Sequence, residues 1–327
     1  ALPKHASSLN EMITERIRNA FSMGVCRSSS VSCLPYRCWQ RYSKVSVSAR
    51  KTAGVAESTS LESALAVHIY VSEGRDAALI SRFVRAAAPH GAKVVNEFVD
   101  SAYHRSGITL ASADAARLET SVVAVCQEAL LSLSLQRHEA SHPRLGVVDH
   151  VACNPLGSAS LNEAGELANR IAVQLGGGGS SQTVGKLQVP AVPVYLYGAA
   201  QSDRRSLADV RRQLGYFTGA RSGEWVGLAP EVSAAVTALP PDLGPGEVQP
   251  DLGVAVIGAV QWVHNYNLLL AAEDSSLDQS ETMKRCRRVA RAVSARGGGL
   301  PAVESMALPH EAGVEIACNL LDVGVSS

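Results

Sequence analysis

Between Ala66 and Cys153 the spacing of apolar residues changes period several times, and that succession limits the fold more than any other feature of the chain. Ala66–Ser72 (AVHIYVS) alternates as a strand does, and Arg75–His90 then carries apolar residues at helical spacing until Pro89 ends the run. Two short β-type runs follow, Ala92–Val99 and Ser106–Ser112, separated by the polar corner Asp100-Ser101-Ala102-Tyr103-His104-Arg105. A long helix is expected from about Ala113 to Leu135, turning Val122, Val125, Leu130 and Leu133 to the core, and Val147–Cys153 reads as another strand. The order β-α-β-β-α-β predicts an α/β (α+β) chain built on a ferredoxin-like split βαβ unit. A helix at Leu161–Leu175 and a strand at Val192–Tyr197 extend it.

The second half repeats the pattern in part. Val254–Val260 and His264–Leu270 read as one strand or a bulged pair, Leu277–Ala295 as an amphipathic helix, and Ala302–Leu308 with Val314–Leu320 as a strand pair around Pro309-His310-Glu311-Ala312-Gly313. The expected organisation is an extension at 1–60, a first βαββαβ subdomain at 61–240, and a second at 241–327 that stops before its last helix and strand.

Charge separates the extension from the body. Residues 1–60 hold nine Lys/Arg against three Asp/Glu, which leaves 21 against 27 in the remainder and argues against a general nucleic-acid binder. The Ser- and Arg-rich composition of residues 20–60 resembles an organellar transit peptide, so the localisation is open between cytoplasm and organelle. Were Met23 the initiator, Met23-Gly24-Val25-Cys26-Arg27-Ser28 would fit a myristoylation pattern. No apolar run reaches the roughly 18 residues that suggest a membrane span. Seven cysteines, an odd and scattered set, do not form a disulfide framework and suggest a reducing compartment.

Chemistry concentrates in Ser141-His142-Pro143-Arg144-Leu145-Gly146-Val147-Val148-Asp149-His150, where a helix gives way to a strand. The glycine run Gly176–Gly179 before Gly185-Lys186 fails as a phosphate loop, because Ser180 and Leu187 stand where Gly and Ser/Thr are needed. His138, His142, His150 and Cys153 cluster in sequence, but they straddle a proline and a strand start, so no shared metal-ligand face and no metal is expected. No nucleophile elbow or catalytic cysteine signature is present. What remains is general acid–base chemistry: His142 beside Asp100 would take and return a proton while Arg105 and Arg144 orient an anion. A loop ion pair of little energetic weight is the structural alternative for Asp100 and Arg105.

Three motifs in order resemble the formiminotransferase domain of formiminotransferase-cyclodeaminase, and above all its plant formiminotransferase-like relatives: His142–Asp149, Pro193–Ala200 (PVYLYGAA) and Pro241–Pro245 (PDLGP). Ser72–Arg75, Val99-Asp100, Asn265-Tyr266-Asn267 and Ala317–Leu321 support the match. The resemblance implies two α/β subdomains with a folate tunnel between them, and transfer of a formimino (or formyl) group from an N-substituted glutamate to N5 of the co-substrate tetrahydrofolate. It places the catalytic histidine on His142 with Asp100 as companion. Arg105, Arg144, Tyr197, Gly198, Asp242 and Asn267 then fall at substrate or folate contacts. The implied partners are a folate and a glutamate derivative, with a homodimer as an open assembly. Three departures accompany the match: Ile69-Tyr70-Val71 replaces the family's Pro-Asn-Phe, the cyclodeaminase domain is not expected in a chain this short, and the second subdomain is short. A non-catalytic folate-binding or regulatory protein derived from this fold is the alternative.

Overall fold

The computed structural model describes residues 63–177, 183–184, 187–217, 225–271, 279–310, 313–322 and 324–325. The extension at 1–60, the Met23 motif, the Gly178–Ser181 part of the glycine run, Gly185-Lys186 and the tip Glu311-Ala312 lie outside the described residues. The chain divides into two compact units, Val45–Val260 and a smaller one that contains Gln261–Ser327.

In the larger unit, β1 (Ala64–Val71) alternates cleanly: Val67, Ile69 and Val71 are buried among helices, while His68 and Tyr70 point to the opposite face. Helix α1 (Ala77–Ala87) starts where the Asp76 carboxylate accepts the Ala78 and Leu79 N–H groups, and buries Ile80, Phe83 and Ala87. It stops at a 3₁₀ turn through Pro89, and Gly91 at φ 88° redirects the chain. Strands β2 (Lys93–Asp100) and β3 (Arg105–Ser112) follow. Helix α2 (Ala115–Ser132), capped by Asp114, packs Leu118, Val122, Val125, Cys126 and Ala129 onto the sheet. After β4 (Val148–Leu156), a reciprocal Ser160–Glu163 capping box starts α3 (Leu161–Leu175). Then come β5 (Val194–Gly198), α4 (Leu207–Gln213), α5 (Pro230–Ala238) and β6 (Ala255–Ala259).

These strands make one mixed sheet in the order β2-β3-β1-β4-β6-β5, with the first three pairings antiparallel and the last two parallel. The sequence reading had Val254–Val260 opening the second half beside His264–Leu270. Instead Ala255–Ala259 lies between β4 and β5, all five of its residues buried, as befits a central parallel strand covered on both faces. Helices α1, α2 and α3 cover one face of the sheet. On the other, at the β5–β6 end, Val210 and Leu214 of the α4 segment and Val232 and Val236 of α5 pack against Tyr195, Tyr197 and Val256. Neither α4 nor α5 was anticipated. Their signals were short: the Ser206 hydroxyl accepting the Asp209 N–H, and Pro230 in a first turn.

The smaller unit is a β-α-β-β arrangement of β7 (His264–Ala271), α6 (Gln279–Val293), β8 (Val303–His310) and β9 (Gly313–Leu320). Its antiparallel sheet runs β7-β9-β8, and Cys286, Val289, Ala290 and Val293 of α6 pack on Val303, Val314, Ile316 and Cys318.

Candidate functional site

Strand register gathers the polar side chains on the sheet face opposite α1–α3. Tyr70 pairs with Gly107 on β3 and His150 on β4, His150 with Val256 on β6, and Gly258 with Tyr197 on β5, so these residues share one face. Two glycines let aromatic rings lie across the strands. A Cβ on Gly107 would stand 3.2 Å from the Tyr70 ring, and one on Gly258 would stand 2.3 Å from the Tyr197 ring. Tyr70 then stacks on His150 at 5.6 Å and 5°, and the Tyr197 hydroxyl hydrogen-bonds His150 Nε2 at 2.8 Å.

The segment 141–147 is bolted to this face from several sides. Asp149 Oδ1 accepts the Leu145 N–H at 2.6 Å, Ser72 Oγ donates to Gly146 O at 2.8 Å, and the Val147 and Val254 N–H groups donate to Leu252 O and Leu145 O, each at 2.8 Å. His142 is thereby held half-buried, between Tyr103 (ring centroids 5.1 Å) and Tyr216 (6.2 Å). Its Nδ1 is 2.7 Å from Pro143 O, a contact only an N–H can make, so the neutral ring carries its proton on Nδ1 and keeps its lone pair on Nε2. Arg105 Nη1 lies 3.1 Å from Nε2 and 3.3 Å from Nδ1. Such near-equal distances put the guanidinium against the ring rather than in line with either nitrogen.

Charge is concentrated here. Asp149, 2% exposed, faces both Arg105 (3.2 Å) and Arg211 (3.4 Å), each of which lies 4.4 Å over a tyrosine ring, Tyr70 and Tyr216 respectively. The Nε atoms of both arginines are buried without a hydrogen-bond partner among the described residues. Burial, then the Arg105, Arg211 and Arg144 cations, hold His142 well below the ordinary imidazole range, with the Pro143 carbonyl pulling the other way. Burial and the same Arg211 and Arg105 lower His150 too. The arrangement is two neutral imidazoles beside a surplus of positive charge: proton acceptors next to anchors for an anion.

The residues marked in the sequence fall in different places. His142 and Arg105 meet, and Tyr197 connects to Arg105 through His150 and the Tyr70 ring. Asp100 uses Oδ1 to accept the Tyr103 N–H at 2.7 Å, shaping the turn before Arg105. The carboxylate that sits on Arg105 is Asp149, which lay inside the quoted motif without a role. Arg144 is turned inward, donating to the carbonyls of His138 (3.5 Å), Gly227 (3.3 Å) and His142 (3.3 Å), and burial, partly offset by Asp149 and Tyr216, brings it down to about 10. Gly198 ends β5 at φ 60° and donates to Arg205 O. Asp242 accepts the Leu196 N–H at 2.7 Å and pairs with Arg205. Asn267 belongs to the smaller unit, where Nδ2 donates to Glu315 at 3.1 Å. Arg211 and Tyr216 were missed, because their segment joins the site only through the fold. Among the described residues no group of three or more His, Cys, Asp or Glu could hold a metal ion, and no helix is long and apolar enough to cross a membrane.

Fold and site together define a mixed α/β protein whose sheet face carries a buried His–Arg–Asp cluster. The chain belongs to the formiminotransferase family: the model for the formiminotransferase domain, N-terminal subdomain, matches residues 64–260. It is 40% identical over 261 residues to a formiminotransferase cyclodeaminase-like protein of Arabidopsis thaliana, covering 78% of this chain and 80% of that one. To a glutamate formimidoyltransferase of Thermoplasma acidophilum it is 26% identical, over 76% of this chain and 74% of the relative. A formimidoyltransferase-cyclodeaminase of Sus scrofa is 26% identical over 59% of this chain, which spans 32% of that protein. The relatives are transferases by name, and the family model falls within the larger unit.

Proposed function

We propose that the protein transfers a formimino or formyl group from an N-substituted glutamate to N5 of tetrahydrofolate, with His142 as general base and then acid. The observation that carries this reading is a neutral imidazole, its Nδ1–H fixed on Pro143 O, packed against a guanidinium and beside a second one. In the forward step the N5 amine attacks the formimino carbon, and His142 accepts the N5 proton as the new C–N bond forms. The tetrahedral adduct then collapses: His142 returns the proton to the glutamate nitrogen, and that C–N bond breaks to release glutamate.

Arg105 and Arg211 are suited to the carboxylates of either molecule, and their partnerless buried Nε atoms fit a site built for anions. Arg144 orders the loop that presents His142, and Asp100 shapes the turn that presents Arg105. Asp149 is the companion carboxylate, setting the two arginines rather than the imidazole. Tyr197 and Gly198 of β5, with Asp242 bonded to the Leu196 N–H beside them, form one wall of the proposed site. The ferredoxin-like plan is supported by the order β2-β3-β1-β4 and by the β7-β9-β8 sheet.

The test is turnover of formiminoglutamate with tetrahydrofolate by the full chain, followed as glutamate release, with folate binding measured by calorimetry. His142→Gln should lose about 10²-fold or more in kcat while binding folate as before. Equal turnover by the variant refutes the role of His142. A wild-type chain that binds folate and never releases glutamate favours the non-catalytic reading.

A further inference from the structure

Behind the His142–Arg105 pair, a second group of titratable side chains joins the loops that carry it. Glu73, in the loop between β1 and α1, is 8% exposed, and its Oε1 accepts three donors: Arg75 N at 2.7 Å, Asp76 N at 2.9 Å and His104 Nε2 at 3.1 Å. His104 closes the β2–β3 turn at φ 48°, immediately before Arg105, and its Nδ1 is 3.1 Å from Glu139 O, three residues before His142. Both ring nitrogens therefore face acceptors. A neutral imidazole can donate to one of them, whereas an imidazolium satisfies both.

The neighbouring ring takes the opposite state. His138 stacks on His104 at 4.1 Å and 15°, donates from Nε2 to His104 O at 3.1 Å, and keeps a buried Nδ1 without a hydrogen-bond partner among the described residues. Burial, with Arg144 and His104 adding to it, lowers His138 to about 3. The two stacked rings thus differ in role: His138 is neutral with its N–H on Nε2, and His104 is the ring that bridges two loops. The charged and titratable groups around it are Glu73 from the β1–α1 loop, and His138 and Arg144 from the segment that leads to His142.

We propose that His104, as an imidazolium bridging the Glu73 carboxylate and the Glu139 carbonyl, is a positioning residue that sets Arg105 against His142. Its reach defines the role. One ring fixes the start of α1, the turn that launches Arg105 and Glu139 at the head of the His142 segment, and it touches none of the reacting atoms. Deprotonation would drop one of the two bonds and free the turn from one neighbour. The inference rests on the reading of His142 and Arg105 as the functional pair.

The test combines ¹⁵N-histidine NMR of the full chain with steady-state kinetics of His104→Asn, Glu73→Gln and the double variant. Asparagine suits the left-handed backbone at 104, so that variant removes the ring without adding strain. At about pH 7 wild-type His104 should show both ring nitrogens as N–H donors, the state its two acceptors call for. Each single variant should shift the His142 ring resonances and lower kcat by roughly 10- to 100-fold, the scale of a misplaced catalytic group, without a matching rise in KM. The double variant should be no worse than the poorer single one, because both break one link. A neutral His104 overturns the proposal. So do unchanged His142 resonances in variants that still fold. Should the wild type show no turnover, the transfer reading fails, and the resonances alone then decide the positioning role.

Discussion

Asp149→Asn isolates what the buried charge cluster is worth. The amide oxygen can still accept the Leu145 N–H, so the 2.6 Å backbone bond survives, while the countercharge to Arg105 and Arg211 disappears. Asp149 is 2% exposed and each arginine side chain 13%, so water screens little of the loss. Removing one partner of a buried pair costs about 3–5 kcal/mol, and two cations sharing one carboxylate place the expectation in the upper part of that range. For a unit of roughly 200 residues, each kcal/mol moves the midpoint by about 2–4 °C, so a loss of about 4–5 kcal/mol should lower Tm by about 8–20 °C in differential scanning calorimetry. Arg211→Met in the Asp149→Asn background should recover part of the loss, because one uncompensated cation is then gone. A midpoint that stays with the wild type, or a second substitution that lowers it further, would refute the charge argument.

Three more outcomes follow from the geometry. Gly258→Ala puts a methyl 2.3 Å from the Tyr197 ring and 2.4 Å from its carbonyl; it should cost about 1–3 kcal/mol or more of overpacking and weaken the Tyr197–His150 bond, measured by urea unfolding. Since burial and the arginines hold His142 well below 6.5, kcat/KM should persist below that pH rather than halve at it, and an acid limb centred on the free-imidazole value would contradict the site. Glu73 is held at about 2, its burial outweighed by the His104 bond and the Asp76 and Arg75 N–H groups. A depressed carboxylate contributes stability that is present above its ordinary 4.5 and lost as pH falls toward 2. Acid unfolding of Glu73→Gln, followed by circular dichroism, should therefore be shallower across that window, and parallel curves would count against the pairing.

What the sequence made legible was local. Caps such as Asp76, Asp114 and Ser160, and the alternation in β1, are written in neighbouring residues, and the elements from Ala64 to Leu175 follow them closely. His142 was legible for the same reason: it stands in a dense polar motif at a helix-to-strand transition. Ala255–Ala259 was not, because its partners β4 and β5 lie many tens of residues upstream and an all-buried parallel strand has no alternation to assign its neighbours. The same non-locality hid Arg211, whose helix reaches Asp149 only across the folded sheet, and hid the geometry in which Asp149 faces Arg105 while Asp100 accepts the Tyr103 N–H.

The late position of β6 in the chain also carries a consequence for folding order. The bonds that seat the His142 segment come from this last stretch of the larger unit: Leu135 N to Asp251 O, Val147 N to Leu252 O, Val254 N to Leu145 O, and the Gly146–Gly253 bridge. On a ribosome, β1 to β4 and their three helices could already have collapsed before residues 251–259 emerge. The antiparallel half would then exist as a folding intermediate with the edge of β4 unsealed, and synthesis of residues 176–250 would separate that state from a seated imidazole. Nascent chains stalled before Asp251 should accordingly look folded to a protease over α1–α3 and remain cleavable around Pro143.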